Sequence, residues 1–216
     1  MKAMESCVNR TDTSEAFFPW VGTEYGTSRK VFRQKVMILG ESLYCEEHEG
    51  CGGCAPGAVN SCNYFLIHLV LRQLLGVQSL PLYTKLFKLF VGDREISKEA
   101  FWNSVAYSVF VQSSVGTGAR HRPDRKLWAD AAPVFWTTLR RLEPEKLVVF
   151  GDATWVNLPG VVGNEWEKTA TYLGGRCCRY TCRVTPSPCD TLVIDHPQRP
   201  GFDYSEAPVV KEFLGT

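Results

Sequence analysis

Val36-Met37-Ile38-Leu39-Gly40 is a run of four apolar residues stopped by a glycine, and Glu41-Ser42-Leu43-Tyr44 follows at once. A short continuous apolar run reads as a strand buried on both faces, which is the habit of parallel sheets. Leu147-Val148-Val149-Phe150 repeats the pattern and stops at Gly151. Leu192-Val193-Ile194 is a third run, ending in Asp195-His196-Pro197, and Val105–Val111 is a fourth, more mixed one. Helical spacing lies between them. Asn60 is placed to cap a helix from about Ser61 to Leu75, closed by Gly76 and apolar on nearly every side through Tyr64, Phe65, Ile67, Leu69, Leu71 and Leu74. Leu127, Ala131, Phe135, Leu139 and Leu142 share one stripe, with Pro133 predicting a kink or a helix start. Strands alternating with helices predict a three-layer α/β/α sandwich around a mostly parallel four-stranded sheet, with all 216 residues in a single domain.

The composition agrees. A chain that is 44% hydrophobic and 22% charged has enough apolar mass for a core and is not a disordered polymer. A net charge of +1 excludes no partner, because basic residues gathered on one face serve a nucleic-acid protein as well as a high total charge. No stretch reaches the apolar length of a membrane span, and the polar Met1–Asp12 lacks the apolar core of a secretory signal. The expectation is a cytoplasmic monomer without a membrane partner.

In open sheets of this kind ligands bind at the carboxyl ends of the strands, so the residues just after each apolar run are the candidates. After the first run come Gly40, where the backbone is expected to turn sharply, and the carboxylate and hydroxyl of Glu41 and Ser42. After the last, Pro197 and Pro200 restrict the backbone around His196. Between them lies the densest basic stretch, Arg120-His121-Arg122-Pro123-Asp124-Arg125-Lys126, preceded by the donor-rich Ser113-Ser114-Val115-Gly116-Thr117-Gly118. Arg and Lys beside free loop amides suit contact with a phosphate backbone.

In this order the segments resemble the uracil-DNA glycosylase superfamily, over roughly Val36 to Phe202. In that family a first motif opening with Gly supplies the water-activating residue, and a later His-Pro motif supplies a His that hydrogen-bonds the departing base. The resemblance implies a uracil-DNA glycosylase-like fold and hydrolysis of the N-glycosidic bond of uracil or a modified pyrimidine in DNA, for repair or for defence against invading DNA. It places Glu41, Ser42 and His196 at the chemistry, with Glu41 matching the Glu of the thermophilic-type branch and Ser42 standing where the best-known branch has Asp. Gly40, Tyr44, Phe65, Ser108, Val109 and Gln112 fall around the base; Tyr44 is where that branch has a Tyr crowding the base, and Tyr44, Tyr64 and Phe65 are the candidates for stacking, the latter two also reading as helix core. Arg120, Arg122, Arg125, Gln198 and Arg199 fall on the DNA side, Gln198 replacing the usual Ser.

The departures carry consequences. Without Asp at position 42, water is left to Glu41 or to backbone carbonyls. The family reads the pyrimidine edge with an Asn at the end of its second core strand; near that place this chain has Ser108 and Val109, with Gln112 a little later and Asn103 earlier, which points away from strict uracil readout. The chemistry still fits. A neutral His196 would donate to the leaving base, and the Glu41 carboxylate would favour the cationic sugar.

The chain has 9 Cys, an odd number that argues for thiols or metal ligands over a disulfide framework. Cys45, Cys51, Cys54 and Cys62 cluster after the first motif and could hold a structural zinc or iron–sulfur cluster, although the chemistry requires no cofactor. Cys177, Cys178, Cys182 and Cys189 form a second group. Two other readings of the same residues are an ester hydrolase of the GDSL type, with Ser42 as nucleophile and His196 as base, and a nucleic-acid-binding module of the same fold without catalysis.

Overall fold

The computed structural model describes residues 16–27, 31–45, 61–116, 121–162, 166–170, 176–182 and 188–216. Each predicted apolar run is a strand: β2 (Val36–Gly40), β3 (Val105–Val109), β4 (Lys146–Phe150) and β8 (Cys189–Ile194). These four lie side by side in the order β3-β2-β4-β8 and every pairing among them is parallel. Their residues alternate between two cores, as a sheet covered on both faces requires. Val36, Ile38, Tyr107, Val148, Phe150 and Ile194 face one core, and Met37, Leu39, Ala106, Leu147 and Val149 the other.

The sheet is larger than expected. Among the described residues it has eight strands and is mixed, where four mostly parallel ones were predicted. β1 (Trp20–Val21) pairs antiparallel with β3 at one edge. Beyond β8 an antiparallel run of β7 (Cys177–Cys182), β6 (Trp166–Ala170) and β5 (Val161–Val162) completes the other. These edge strands are two residues long or carry charged and polar residues, so no apolar run announces them.

The first core is covered by α1 (Phe65–Leu74), entered through a 3-10 turn at Ser61–Tyr64, and by α2 (Pro81–Val91), α3 (Lys98–Ser104) and α6 (Ala207–Leu214). The second is covered by α4 (Arg125–Leu142), with Trp155 of α5 (Asp152–Asn157) beside it. On α4 the predicted stripe is inward: Ala131, Phe135, Leu139 and Leu142 are buried. Pro133, however, neither starts the helix nor ends it. The helix begins at Arg125, where the Asp124 carboxylate accepts from the Leu127 backbone N–H over 2.8 Å. Pro133 is exposed and so is Ala129, whose carbonyl loses its partner but can be met by water. Asn60, the expected cap of the first helix, lies outside the described residues. No helix among the described residues is long and apolar enough to cross a membrane.

Candidate active site

The carboxyl ends of β3, β2, β4 and β8 stand level with one another: Gly40 pairs with Val109, Leu39 with Val149, and Phe150 with Ile194. The loops that leave β2 and β3 continue side by side past the strands. Phe110 N–H donates to the Gly40 carbonyl over 2.9 Å, Val111 N–H to Glu41 over 2.8 Å, Val115 N–H to Leu43 over 3.0 Å, and Cys45 N–H to Gly116 over 3.0 Å. That ladder fixes Glu41, Ser42 and Tyr44 against the segment that leads to Arg122.

Gly40 works differently from the expectation. It is the last residue of a regular strand, and it is not among the described glycines with positive φ. Its lack of a side chain serves packing: a Cβ there would stand 3.0 Å from the Phe150 ring and 3.3 Å from the Tyr107 hydroxyl. The left-handed turn belongs to Gly151, with φ of +95°, where a Cβ would come 3.6 Å from the His196 ring. Gly40, Phe150 and His196 therefore form a continuous packed floor, with the Phe150 and His196 rings edge to face at 5.2 Å.

Glu41 is 5% exposed. One of its oxygens, Oε2, accepts from Arg122 Nη1 over 2.6 Å. The other, Oε1, is buried and has no hydrogen-bond partner among the described residues, and Ser42 Oγ is in the same condition. The Arg122 side chain is 67% exposed, so the pair joins a buried carboxylate to a guanidinium at the surface. Tyr44 stands by this pair. Burial raises its phenol pKa, the Glu41 charge raises it further, and Arg122 opposes both.

His196 is held by its own loop. Its Nδ1 accepts from the Gln198 backbone N–H over 3.1 Å, and its carbonyl accepts from Arg199 N–H over 2.9 Å. Burial first, then the charges of Arg122 and Lys85, push its pKa down to about 4. The ring is therefore neutral at pH 7, and with Nδ1 accepting, Nε2 carries the proton. Asp195 does not support the imidazole. Its carboxylate pairs with Arg199 over 2.6 Å and Arg176 over 3.5 Å, while Arg176 also holds Glu206 over 2.6 Å. Among the described residues no nucleophile–base–acid chain from Ser42 through His196 is assembled: the Ser42 hydroxyl has no partner there, and His196 Nδ1 meets a backbone N–H where a triad needs a carboxylate.

Among the other predicted residues, Ser108 and Val109 are buried inside the sheet, with Ser108 Oγ against the Val109 carbonyl at 3.5 Å. Gln112 is engaged at both ends of its amide. It accepts from Phe17 N–H over 2.8 Å and donates to the Val109 carbonyl over 2.8 Å, which ties the segment before β1 to the end of β3. Phe65 is half-buried against the first core. Arg125, Gln198 and Arg199 are exposed on the loop side, whereas Arg120 lies outside the described residues. Cys51 and Cys54 lie outside them too, leaving Cys45 and Cys62, both partly buried. No group of three or more metal-ligating side chains is present among the described residues.

Lys85 is the residue that sequence reasoning missed. From α2 its Nζ donates to the Pro197 carbonyl over 2.8 Å and lies 5.3 Å from the centre of the Phe202 ring, joining two points of the His196 loop. No motif marks it, since a lysine on an amphipathic helix reads as a solvated face. The signal for Arg122 as the partner of Glu41 was present only as membership of a basic run.

No family model and no curated protein matches the chain. The functional reading therefore rests on the geometry and on the motif resemblance.

Proposed function

We propose that this protein is a DNA glycosylase that hydrolyses the N-glycosidic bond of uracil or, given its altered base-reading positions, of a modified pyrimidine. The observation that carries the reading is an imidazole whose Nδ1 accepts from the Gln198 backbone N–H, at the end of β8, with β4 between it and a buried carboxylate at the end of β2 whose Oε1 has no partner among the described residues; burial of the imidazole disfavours its charged form. β2 and β8 are separated by one strand, so their ends lie roughly 10 Å apart, a span that accommodates a nucleoside between the two loops. The four adjacent parallel strands within the mixed sheet, with helices on both faces, support this reading of the fold.

The chemistry follows from the two protonation states. As the bond between C1′ and the base nitrogen breaks, its electron pair leaves with the base, and the His196 Nε2–H donates to the base oxygen that gains the charge. The sugar becomes cationic at C1′ and is stabilised by the Glu41 carboxylate. Water adds to C1′ and its proton passes to Glu41, which returns it to solvent as the base anion takes up a proton, giving an abasic site and the free base. An imidazolium would donate as well, but a neutral donor does not hold a competing anion such as a phosphate in the site.

Both ends of the Gln112 amide are held by the fold, its oxygen by Phe17 N–H and its nitrogen by the Val109 carbonyl, so it is not free to turn toward a base without breaking those bonds. This supports a wider or different pyrimidine choice. The test is to incubate the protein with single- and double-stranded oligonucleotides carrying uracil or modified pyrimidines and to assay abasic sites and released base by mass spectrometry. Release that is lost in Glu41→Gln and slowed by on the order of a hundredfold or more in His196→Ala bears the reading out. No release from any such DNA, or release indifferent to both substitutions, sinks it.

A further inference from the structure

We propose that Lys85 is a positioning residue for His196, acting through the single peptide group that joins Pro197 to Gln198. Its catalytic consequence rests on the glycosylase reading; the arrangement of atoms does not. Lys85 Nζ donates to the Pro197 carbonyl over 2.8 Å, and the Gln198 backbone N–H donates to His196 Nδ1 over 3.1 Å. That carbonyl and that N–H belong to the same peptide unit. A trans peptide is planar and points its C=O and N–H in opposite directions, so the lysine holds one end of the plane and the imidazole meets the other.

Among the described residues, the backbone bonds inside the loop run from Arg199 N–H to the His196 carbonyl over 2.9 Å and from Phe202 N–H to the Arg199 carbonyl over 3.2 Å. Neither involves the Pro197–Gln198 peptide. Pro197 and Pro200 restrict φ at their own positions, but the plane after Pro197 still turns about ψ of that residue. Lys85 supplies the missing restraint from a fixed base. On α2 its neighbours Tyr83 and Leu86 are buried in the first core. The same ammonium lies 5.3 Å from the centre of the Phe202 ring, a cation–π contact that ties the far end of the loop to the same point.

The consequence is chemical. If the plane turns over, the carbonyl takes the place of the N–H beside Nδ1, an acceptor where a donor stood. A neutral ring then carries its proton on Nδ1 and presents a bare Nε2, which cannot donate to a departing base. An ammonium held on the carbonyl opposes that turn. By polarising the peptide it also strengthens the N–H as a donor to Nδ1.

The experiment reads the two ring nitrogens of His196 by long-range proton–nitrogen NMR correlation at pH 8, above the ordinary imidazole range. His196 is assigned by loss of its signals in His196→Gln. The wild type should show a protonated Nε2 and a bare Nδ1. Lys85→Met keeps the apolar stem and loses the ammonium; the proton should then move in part to Nδ1, so that the two nitrogen shifts draw together. Lys85→Arg, which keeps a cationic donor, should return them toward the wild type. Val70→Ala, a core variant, should leave them in place, which separates positioning from general loosening. If Lys85→Met does not fold, Phe202→Leu, which takes the ring from the ammonium, should draw the shifts together to a smaller extent. Nitrogen shifts unmoved in whichever of these two folds overturn the proposal. On a releasable base, Lys85→Met should slow release at saturating protein by roughly ten- to a hundredfold, with little change in half-saturation. Weaker DNA binding alone, with ring shifts and saturated release as in the wild type, makes Lys85 a phosphate contact and overturns the proposal. Shifts that draw together in a protein that releases no base support the role of Lys85 and count against the glycosylase reading alone. Base release with unmoved shifts counts against Lys85 alone.

Discussion

The Gln198 backbone N–H donates to Nδ1 of His196 over 3.1 Å, and that bond decides which ring nitrogen carries the proton. A neutral imidazole has one donor and one acceptor; with Nδ1 accepting, Nε2–H is the donor that faces away from its own loop. Replacing the ring by Gln keeps a donor of similar reach but loses the fixed orientation, whereas Ala loses the donor altogether. His196→Ala should slow base release by on the order of a hundredfold or more, with His196→Gln between it and the wild type. Single-turnover release from one oligonucleotide at saturating protein measures both, and equal rates for all three proteins would remove His196 from the chemistry.

The same residue gives the fold an acid-sensitive component. His196 titrates near 4 in the folded protein and near 6.5 in the unfolded chain. Between those values the unfolded state binds the proton and the folded state does not. The stability this site contributes is therefore present above pH 6.5, declines as pH falls, and is lost by pH 4. At about 1.4 kcal/mol per pH unit, the window amounts to at most about 3 kcal/mol. Urea unfolding at pH 7 and pH 4.5 should show a smaller loss in His196→Gln than in the wild type; equal losses would place the acid sensitivity elsewhere.

The Glu41–Arg122 pair predicts an asymmetry. Removing Arg122 leaves a carboxylate buried without its partner, whereas removing Glu41 leaves a guanidinium already 67% exposed, which water can solvate. Arg122→Ala should therefore cost about 3 kcal/mol at pH 7, and Glu41→Ala about 1 kcal/mol or less. Chemical denaturation midpoints compare the two directly. The reverse order would mean that packing around Glu41, and not its charge, is what the fold requires.

Much of this arrangement was legible in the sequence, and the reasons are specific. The runs Val36–Leu39, Leu147–Phe150 and Leu192–Ile194 announce central strands because both faces are buried and every residue is apolar. From them the switch of ligand edge to Gly40–Tyr44 and His196 follows by topology alone. β6 was illegible because Trp166-Glu167-Lys168-Thr169-Ala170 lacks a continuous apolar run, and β7 because Cys177, Cys178 and Cys182 invite a reading as ligands or thiols. Cys177 and Cys178 are core side chains on opposite faces, and burial pushes the Cys177 thiol up to about 11. The bonds that set the site were illegible for another reason. Arg122 to Glu41 spans 81 positions and Lys85 to Pro197 spans 112, and no local pattern encodes a partner at that distance.

Gly40 should tolerate no side chain. A methyl group there would press on the Phe150 ring at 3.0 Å, and that ring carries the edge of His196. Overpacking of this kind typically costs about 1–3 kcal/mol. Because the displaced atom is on the floor of the site, Gly40→Ala should lower release more than Glu41-remote substitutions of equal stability cost. A comparison with a core variant such as Val70→Ala, matched by melting temperature, separates the two effects.

Gln112 offers the sharpest contrast between reading a base and holding the fold. Its carbonyl and amide are already bonded to Phe17 N–H and the Val109 carbonyl, both at 2.8 Å. Gln112→Ala leaves the Phe17 N–H without this acceptor and takes one of its donors from the Val109 carbonyl, at a cost of about 1–3 kcal/mol. Its effect on release should then be uniform across every base the protein accepts, tracking the lost stability. Rates for two different substrate bases, measured on the variant and the wild type, check this. A ratio between the bases that changes in Gln112→Ala would mean the amide leaves Phe17 to meet the substrate.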